Sequence, residues 1–177
     1  MFEMLYERWL DRSMLRSESP SVVQSGAMPY TVVDGEVVFL LITSRRSGRW
    51  IFPKGAPMEG LTPWQTAKQE ALEEAGVVGE VETMPIGSYR TVKRGLRTRV
   101  VEVEVYPLKV TEQHEEWQES GQRYRHWAIL PEVKRLITDK PIAELAVRLE
   151  QKVRGRLSAD RSRTAADGQA ARAPRSK

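Results

Sequence analysis

Three glutamates within one short segment have the residue type and spacing for metal-dependent chemistry: Glu70, Glu73 and Glu74. On an α-helix with about 3.6 residues per turn, their side chains fall within an arc of about 100°. Like charges at these spacings repel, so a surface built only for stability would interleave Lys or Arg. Carboxylate oxygens are the ligands that Mg²⁺ and Mn²⁺ prefer. The segment predicts a site for a hard divalent cation; the plainer alternative is a solvent-exposed acidic helix.

The composition narrows the chemistry further. The chain has 177 residues, two His and no Cys. Without Cys there is no disulfide framework, no thiolate metal site and no cysteine nucleophile. Two His are too few for a multi-histidine zinc site. We therefore expect the cofactor to be Mg²⁺, or Mn²⁺ in its place, held by oxygen ligands.

The residues around the glutamates predict a helix from about Pro63 to Ala75. Thr62 and Gln65 match a capping box, and Pro63 suits the first helical position. Gly76 suits the residue just past the end, where a left-handed conformation is wanted. A row of alanines would let this helix pack closely on a sheet.

The segment resembles the signature of the Nudix hydrolase family, which reads Gly, five residues, Glu, seven residues, then Arg-Glu-apolar-x-Glu-Glu-x-Gly-apolar. The matching residues are Gly55, Glu70, Ala71, Glu73, Glu74, Gly76 and Val77. Leu61 and Gln69 stand where the family has a Glu and an Arg that typically pair with each other. Losing both removes a salt bridge without leaving either charge unpaired.

Segments outside this motif are similar to the diphosphoinositol-polyphosphate phosphohydrolase branch of the family. They follow that branch's order over roughly 29–150: Ser44-Arg45, Arg49-Trp50-Ile51, Gly87-Ser88-Tyr89, Glu116-Trp117, Arg125-His126-Trp127 and Asp139-Lys140-Pro141-Ile142. The resemblance implies a hydrolase that cleaves a pyrophosphate bond. It also implies that the Gly55 carbonyl, Glu70 and Glu74 ligate metal, and that Glu73 ligates a further metal or orients water. All three glutamates are candidate catalytic residues, and the identity of the general base stays open.

Two basic turns flank the motif, one at 45–49 and one at 90–99. Their plain interpretation is a pair of solvated hairpins. Segregated from the acidic helix, they also suit a substrate with many phosphates, such as a diphosphoinositol polyphosphate or a diadenosine polyphosphate. The candidate substrate-binding residues are Arg45, Arg49, Lys54, Arg90 and Lys93.

The order of strands, helix, strands and helices predicts an α+β domain. The resemblance implies an α/β/α sandwich with a mixed central sheet and a catalytic loop–helix–loop. Asp34-Gly35 predicts a two-residue hairpin turn. We expect three regions: an N-terminal helix and linker over 1–25, the Nudix domain over 26–153, and a disordered basic tail over 154–177.

The net charge of +4 lies in that tail. Residues 154–177 contain seven bases and two acids, a charge of +5, which leaves about −1 for residues 1–153. The tail is poor in apolar residues, which predicts disorder; weak polyanion binding is the alternative.

We expect no nucleic-acid partner and no membrane span. The acidic N-terminus lacks a secretory pattern, so we expect a cytoplasmic protein. Its helix would dock on the domain or on a second subunit.

Two other functions compete with this interpretation. One is a nucleotide-directed Nudix hydrolase that acts on a nucleoside-diphosphate sugar or an RNA 5′ end. The other is a catalytically weak Nudix-fold module that only binds anions, which the changes at Leu61 and Gln69 would favour.

Overall fold

The structure, a computed structural model, describes residues 22–93 and 98–170, with side chains to residue 163. Strands and helices follow one another in the order β1 (Val22–Val33), β2 (Glu36–Thr43), β3 (Trp50–Ile51), β4 (Lys54–Gly55), α1 (Pro63–Ala75), β5 (Val77–Val81), β6 (Gly87–Lys93), β7 (Arg99–Gln113), β8 (Arg125–Ile129), α2 (Leu130–Leu136) and α3 (Lys140–Ala170).

One mixed sheet joins all of these strands, with β1 and β7 at its centre. β1 pairs with β7 in parallel from Val22 to Tyr30. On its other side β1 pairs antiparallel with β2 and with β4. β7 continues the sheet through β5 and β6, and β2 continues it through β3 and β8. The predicted mixed sheet is confirmed.

The helices cover the two faces of the sheet. Helix α1 packs through Ala67, Ala71 and Ala75, all fully buried, which lets its axis approach one face closely. Helices α2 and α3 cover the other face through residues such as Val133 and Leu149. These layers form the predicted α/β/α sandwich, and they place the glutamates of α1 beside the strand ends.

The first hairpin forms as predicted. Asp34 and Gly35 have φ angles of 52° and 83°, and they join Val33 to its cross-strand partner Glu36. Positive φ at both central residues is what a tight two-residue turn requires, and Asn, Asp and Gly adopt it most readily. This turn fixes the register of β1 against β2.

The predicted linker is wrong for its last residues, because β1 already begins at Val22. Ser, Gly and Pro in this stretch weaken the local strand signal. The parallel pairing with β7, which lies far along the chain, overrides that signal. The predicted N-terminal helix lies outside the described residues.

The predicted disorder of the tail is wrong for residues 154–170, which continue helix α3. Leu157 packs against the core, and Arg156 pairs with Glu82 at 2.8 Å. Ala, Arg and Gln in this stretch favour helix even where it leaves the sheet. The remainder of the predicted tail lies outside the described residues. Neither this helix nor another in the described ranges is apolar enough to cross a bilayer.

Candidate metal and phosphate site

Helix α1 begins and ends at the predicted residues. Thr62 Oγ1 accepts a hydrogen bond from the Gln65 amide at 3.4 Å, and the Gln65 side chain accepts one from the Thr62 amide at 2.9 Å. Gly76 has a φ of 63°, and its amide donates to Leu72 O at 3.0 Å. Both ends are therefore fixed by local hydrogen bonds, which sets the rotation of the helix and the direction of its glutamates.

The Glu70 carboxylate lies against the main chain at Gly55. A Cβ atom on Gly55 would stand 1.6 Å from Glu70 Oε1, so a side chain at this position would displace the carboxylate. The two residues are in different elements, β4 and α1. The structure thus brings together two of the residues that were predicted to ligate metal.

Glu74 is fixed from two sides. It is 7% exposed, and its Oε2 accepts a hydrogen bond from the Lys54 amide at 2.9 Å. Its Oε1 accepts a charged hydrogen bond from Arg123 Nη2. Lys54 belongs to β4, so Glu74 and Glu70 both reach the same short strand.

Arg123 is a site residue that the sequence did not reveal. It is 6% exposed, and its Nη1 donates to Thr43 O at 2.9 Å while its Nε donates to Glu119. One guanidinium therefore ties β2, helix α1 and the β7–β8 loop together. The spacing of four residues between Glu119 and Arg123 was the available signal, and it is weak outside a helix.

The β7–β8 loop and the first residue of β8 also cap the end of α1. Trp117 Nε1 donates to Glu74 O at 3.2 Å, and Arg125 Nη1 donates to Ala75 O at 3.0 Å. The Arg125 guanidinium carbon lies 3.8 Å from the centre of the Trp117 ring. These donors satisfy carbonyls that a helix end leaves unpaired. They further restrict the position of the glutamates.

Negative charge is concentrated around Glu70. Burial raises the pKa of Glu70 to about 7, and the carboxylates of Glu74, Glu73 and Glu119 add to the increase. Burial also raises the pKa of Glu74, although the Lys54 amide and Arg123 oppose the rise. A divalent cation would relieve this repulsion, so the charge of the site suits one.

Fewer candidate metal ligands lie close together than the sequence predicted. Within the described ranges, no three carboxylate or imidazole side chains are arranged to hold a metal on their own. Glu70 and Glu74 converge at β4, where the Gly55 carbonyl is the third candidate ligand. Mg²⁺ commonly takes one or two carboxylates and completes its shell with water and substrate phosphate. The residues present fit that mode of binding.

Glu73 lies close enough to Glu70 to raise its pKa, and it has a hydrogen-bond partner of its own. Its Oε1 accepts a hydrogen bond from Gln69 Nε2 at 2.7 Å. Gln69, at the signature's Arg position, therefore holds the neighbouring glutamate without leaving a charge unpaired. The role predicted for Glu73, at a second metal or at water, stays a prediction.

Lys54 lies near the Glu74 and Glu70 carboxylates, and Lys93 lies near Lys54 on the same face of the sheet. Lys54 pairs in register with Gly26, and Lys93 pairs with Arg99 on β7. Burial lowers the pKa of Lys54; the Glu74 carboxylate opposes this, and the charge of Lys93 adds to it. Two lysines close enough to repel each other, one of them beside the proposed metal ligands, suit a phosphate group.

The other predicted substrate-binding residues are not gathered at this point. Arg45 Nη1 lies 3.0 Å from Glu119 Oε1, so it contacts the β7–β8 loop. Arg49 is exposed on the turn before β3. Arg90 projects on the opposite side of β6 from Lys93, because residues three apart in a strand face opposite ways. Their substrate contacts stay predictions.

Known proteins resemble this chain in sequence and in fold. A family model described as NUDIX domain matches residues 26–148. Nudix hydrolase 17, mitochondrial, of Arabidopsis thaliana is 32% identical in an alignment of 121 residues that covers 64% of this chain and 65% of that protein. Diphosphoinositol polyphosphate phosphohydrolase 3-beta of Bos taurus is 32% identical in an alignment of 108 residues that covers 59% of this chain and 63% of that protein. The chain thus spans less than two thirds of these relatives' length.

A solved structure shows the same fold. The binary complex of the C. elegans Ap4A hydrolase superposes with a TM-score of 0.58 at 20% identity, covering 76% of this chain and 98% of the other. At that identity the likeness concerns the arrangement of the strands and helices.

Proposed function

Because the chain belongs to the NUDIX domain family, we propose that it is a Mg²⁺-dependent hydrolase that cleaves a pyrophosphate bond in a highly phosphorylated small molecule. The observation that carries this proposal is the meeting of Glu70, Glu74 and Gly55 at β4, with two lysines beside them. Acidic metal ligands next to basic phosphate ligands are what such a reaction needs.

Some residues of the site would bind the metal ion, and others fix the orientation of those ligands. Glu70, Glu74 and the Gly55 carbonyl would hold the cation. When bound, a divalent cation offsets the charge of the phosphate oxygens and activates water. Arg123 and the Lys54 amide hold the Glu74 carboxylate in one orientation, so little reorganisation is needed when charge develops.

The two lysines would bind the substrate and not the metal. Lys54 and Lys93 would contact phosphate oxygens and keep the scissile bond near the carboxylates. In the absence of metal, the raised pKa of Glu70 leaves this carboxyl partly protonated near neutral pH. The choice of general base stays open between the glutamates.

The names of the relatives supply two substrate classes to compare. One curated relative is a diphosphoinositol polyphosphate phosphohydrolase, and one structural neighbour is an Ap4A hydrolase. Both kinds of substrate carry several phosphates, which suits the basic side chains near the site. Nucleoside-diphosphate sugars are the third class. They would be the substrates if the protein were instead the nucleotide-directed Nudix hydrolase that is the alternative to the main proposal.

Phosphate-release assays on all three classes, with Mg²⁺ and with EDTA, test the proposal. We expect Mg²⁺-dependent cleavage by the wild type and a loss of more than about 100-fold in Glu74→Gln. The control is Glu144→Gln, at an exposed position on α3. Full activity of Glu74→Gln would refute the metal site. Substrate binding that needs no metal, with no turnover, would instead support an anion-binding module.

A further inference from the structure

Four side chains of alternating charge form an ion-pair network that joins the basic turn at 45–49 to the proposed metal ligands. Arg45 Nη1 lies 3.0 Å from Glu119 Oε1. The second oxygen of Glu119 accepts a hydrogen bond from Arg123 Nε, and Arg123 Nη2 donates to Glu74 Oε1. The network therefore runs without a gap from a predicted substrate-binding residue to a predicted metal ligand.

Burial decreases along this network towards Arg45. The side chains of Arg123 and Glu74 are buried, that of Glu119 is 12% exposed, and that of Arg45 is 52% exposed. Salt screens partly buried ion pairs much less than it screens exposed ones. The three inner groups can thus transmit a change in charge to the metal ligands, while solvent and solutes can reach the Arg45 guanidinium.

Main-chain hydrogen bonds hold both partners of the outer ion pair in place. The Ser44 amide donates to Arg49 O at 2.8 Å, which closes the turn that carries Arg45. In the β7–β8 loop, the Gln122 amide donates to Glu119 O at 2.9 Å. The contact between Arg45 and Glu119 therefore joins two loops whose backbones are each fixed locally.

The charge of Glu119 acts on the metal ligands. Burial is the main cause of the raised pKa of Glu70 and of Glu74, and in both residues the negative charge of Glu119 adds to the rise. A negative charge that disfavours ionisation of the ligands also attracts a divalent cation to them. Because Arg45 offsets part of the Glu119 charge, it should reduce that attraction.

We propose that Arg45 is a positioning residue that weakens cation binding in the substrate-free protein, because it holds the Glu119 carboxylate at the exposed end of the network and offsets its charge. The inference rests on the proposed function, since it concerns the same metal ligands. Phosphate and carboxylate both form strong hydrogen bonds with a guanidinium, so substrate phosphate would compete with Glu119 for Arg45. Transfer of Arg45 to phosphate would strengthen cation binding when substrate is present.

This assignment differs from a simple phosphate-binding role for Arg45. A side chain that only contacts substrate phosphate affects KM for the substrate and leaves metal binding unchanged when no substrate is present. A positioning residue in the network changes metal binding before any substrate binds, and it does so only while Glu119 is charged.

The test is a calorimetric titration with Mg²⁺ alone at an ionic strength of about 0.15 M, where exposed charges are largely screened. The variants are Arg45→Gln, Glu119→Gln and the double variant, because Gln keeps hydrogen-bonding atoms and removes the charge. The matched control is Arg46→Gln, at the exposed neighbouring position in the same turn. Thermal unfolding checks the fold of each variant.

We expect Arg45→Gln to bind Mg²⁺ about two- to fivefold more tightly than the wild type, and Glu119→Gln to bind it more weakly by a similar factor. Arg46→Gln should differ from the wild type by less than about 1.5-fold, and so should the double variant from Glu119→Gln. Equal or weaker Mg²⁺ binding by Arg45→Gln would overturn the assignment. An Arg45 effect that persists without the Glu119 charge would also overturn it.

A second titration tests the competition for Arg45 without turnover. Sodium sulfate replaces sodium chloride at the same ionic strength, so that sulfate stands in for substrate phosphate. Weak association of sulfate with Mg²⁺ affects all variants equally, so the ratio between variants is the quantity to compare. The ratio of the wild-type and Arg45→Gln dissociation constants should fall below about 1.5 in sulfate. An unchanged ratio would overturn the competition.

The two proposals fail in different ways. If the wild type hydrolyses its substrates with Mg²⁺ but Arg45→Gln binds Mg²⁺ as the wild type does, the assignment of Arg45 fails alone. If the wild type cleaves none of the substrates and Arg45→Gln still binds Mg²⁺ more tightly, the hydrolase function fails and the assignment stands. A wild type that binds no Mg²⁺ would overturn both.

Discussion

At the scale of single residues, Glu70 links the stability of the protein to pH. Its pKa is raised from the ordinary value of 4.5 to about 7, chiefly by burial. Between these values the folded state binds the proton more tightly than the unfolded state does. Stability contributed by this group is therefore present below pH of about 4.5 and is lost as the pH rises through about 7.

Glu70→Gln should remove this loss in metal-free protein. One pKa unit corresponds to about 1.4 kcal/mol, and solvent screening of a partly exposed group reduces that value. We expect the variant to exceed the wild type by about 1–2 kcal/mol at pH 8 and to match it near pH 4. Urea unfolding in EDTA at both pH values measures the difference. Equal stabilities at pH 8 would show that the folded protein does not raise the pKa of Glu70.

Arg123 supplies the positive charge between Glu74 and Glu119. Arg123→Met would leave the buried Glu74 carboxylate without its counter-ion and Glu119 with Arg45 as its remaining partner, which costs about 3–5 kcal/mol. Arg135→Met is the matched control, because Arg135 pairs with Glu132 at 3.3 Å on an exposed surface and is worth less than about 1 kcal/mol. Urea denaturation compares the two. Similar losses in both variants would mean that Arg123 does not organise the site.

At the scale of elements, the close packing of helix α1 against the β7–β8 loop depends on Gly76, the glycine that ends the helix. Gly76 and Gly60 have φ angles of 63° and 76°. A Cβ on Gly76 would lie 2.7 Å from Trp117 Cβ, whereas a Cβ on Gly60 would meet nothing within 4 Å. Alanine substitutions at these two glycines can therefore be compared. Both would strain the backbone, but only the one at Gly76 would also overlap with another residue.

Gly60→Ala should cost about 1–2 kcal/mol, the strain of a left-handed L-residue. Gly76→Ala should cost more than that, and it should also lower activity because the β7–β8 loop must move away from α1. Unfolding free energies and kcat/KM measured on both variants check this. Equal losses of unfolding free energy in the two variants, with unchanged activity, would contradict close packing between the end of α1 and the β7–β8 loop.

The same elements show which features the sequence could reveal. Helix α1 was predicted to the residue because its signals are local, with Thr62 and Gly76 bonding within one turn of the helix. The start of β1 was missed because it depends on pairing with β7. Arg123 was missed because its contacts to Glu74 and Thr43 lie 49 and 80 positions away. Local patterns place the ligands on one helix, but only the folded chain shows which of them converge.

At the scale of the whole molecule, the end of helix α3 is an appendage to the domain. Arg154 pairs with Glu36, and Arg156 pairs with Glu82, both at 2.8 Å and both with exposed guanidinium groups. The family match ends before them, at residue 148. We therefore place this stretch outside the catalytic part.

Ending the chain after Val153 should cost about 1–2 kcal/mol and leave kcat unchanged, because it removes exposed ion pairs, which contribute little, and one partly buried apolar side chain, Leu157. Thermal unfolding and steady-state kinetics of the shortened chain check this expectation. A large loss of activity in a chain that still folds would assign the end of α3 to the site.

The central claim is that the α1 carboxylates bind the cation that drives hydrolysis. The most direct measurement is the initial rate of diadenosine tetraphosphate cleavage as a function of Mg²⁺ concentration, for the wild type, Glu70→Gln and the control Glu144→Gln. The account predicts a saturable Mg²⁺ requirement in the wild type and control, and a loss of more than about 100-fold in Glu70→Gln. Rates that are independent of Mg²⁺, or a Glu70→Gln curve that overlays the wild type, would contradict it.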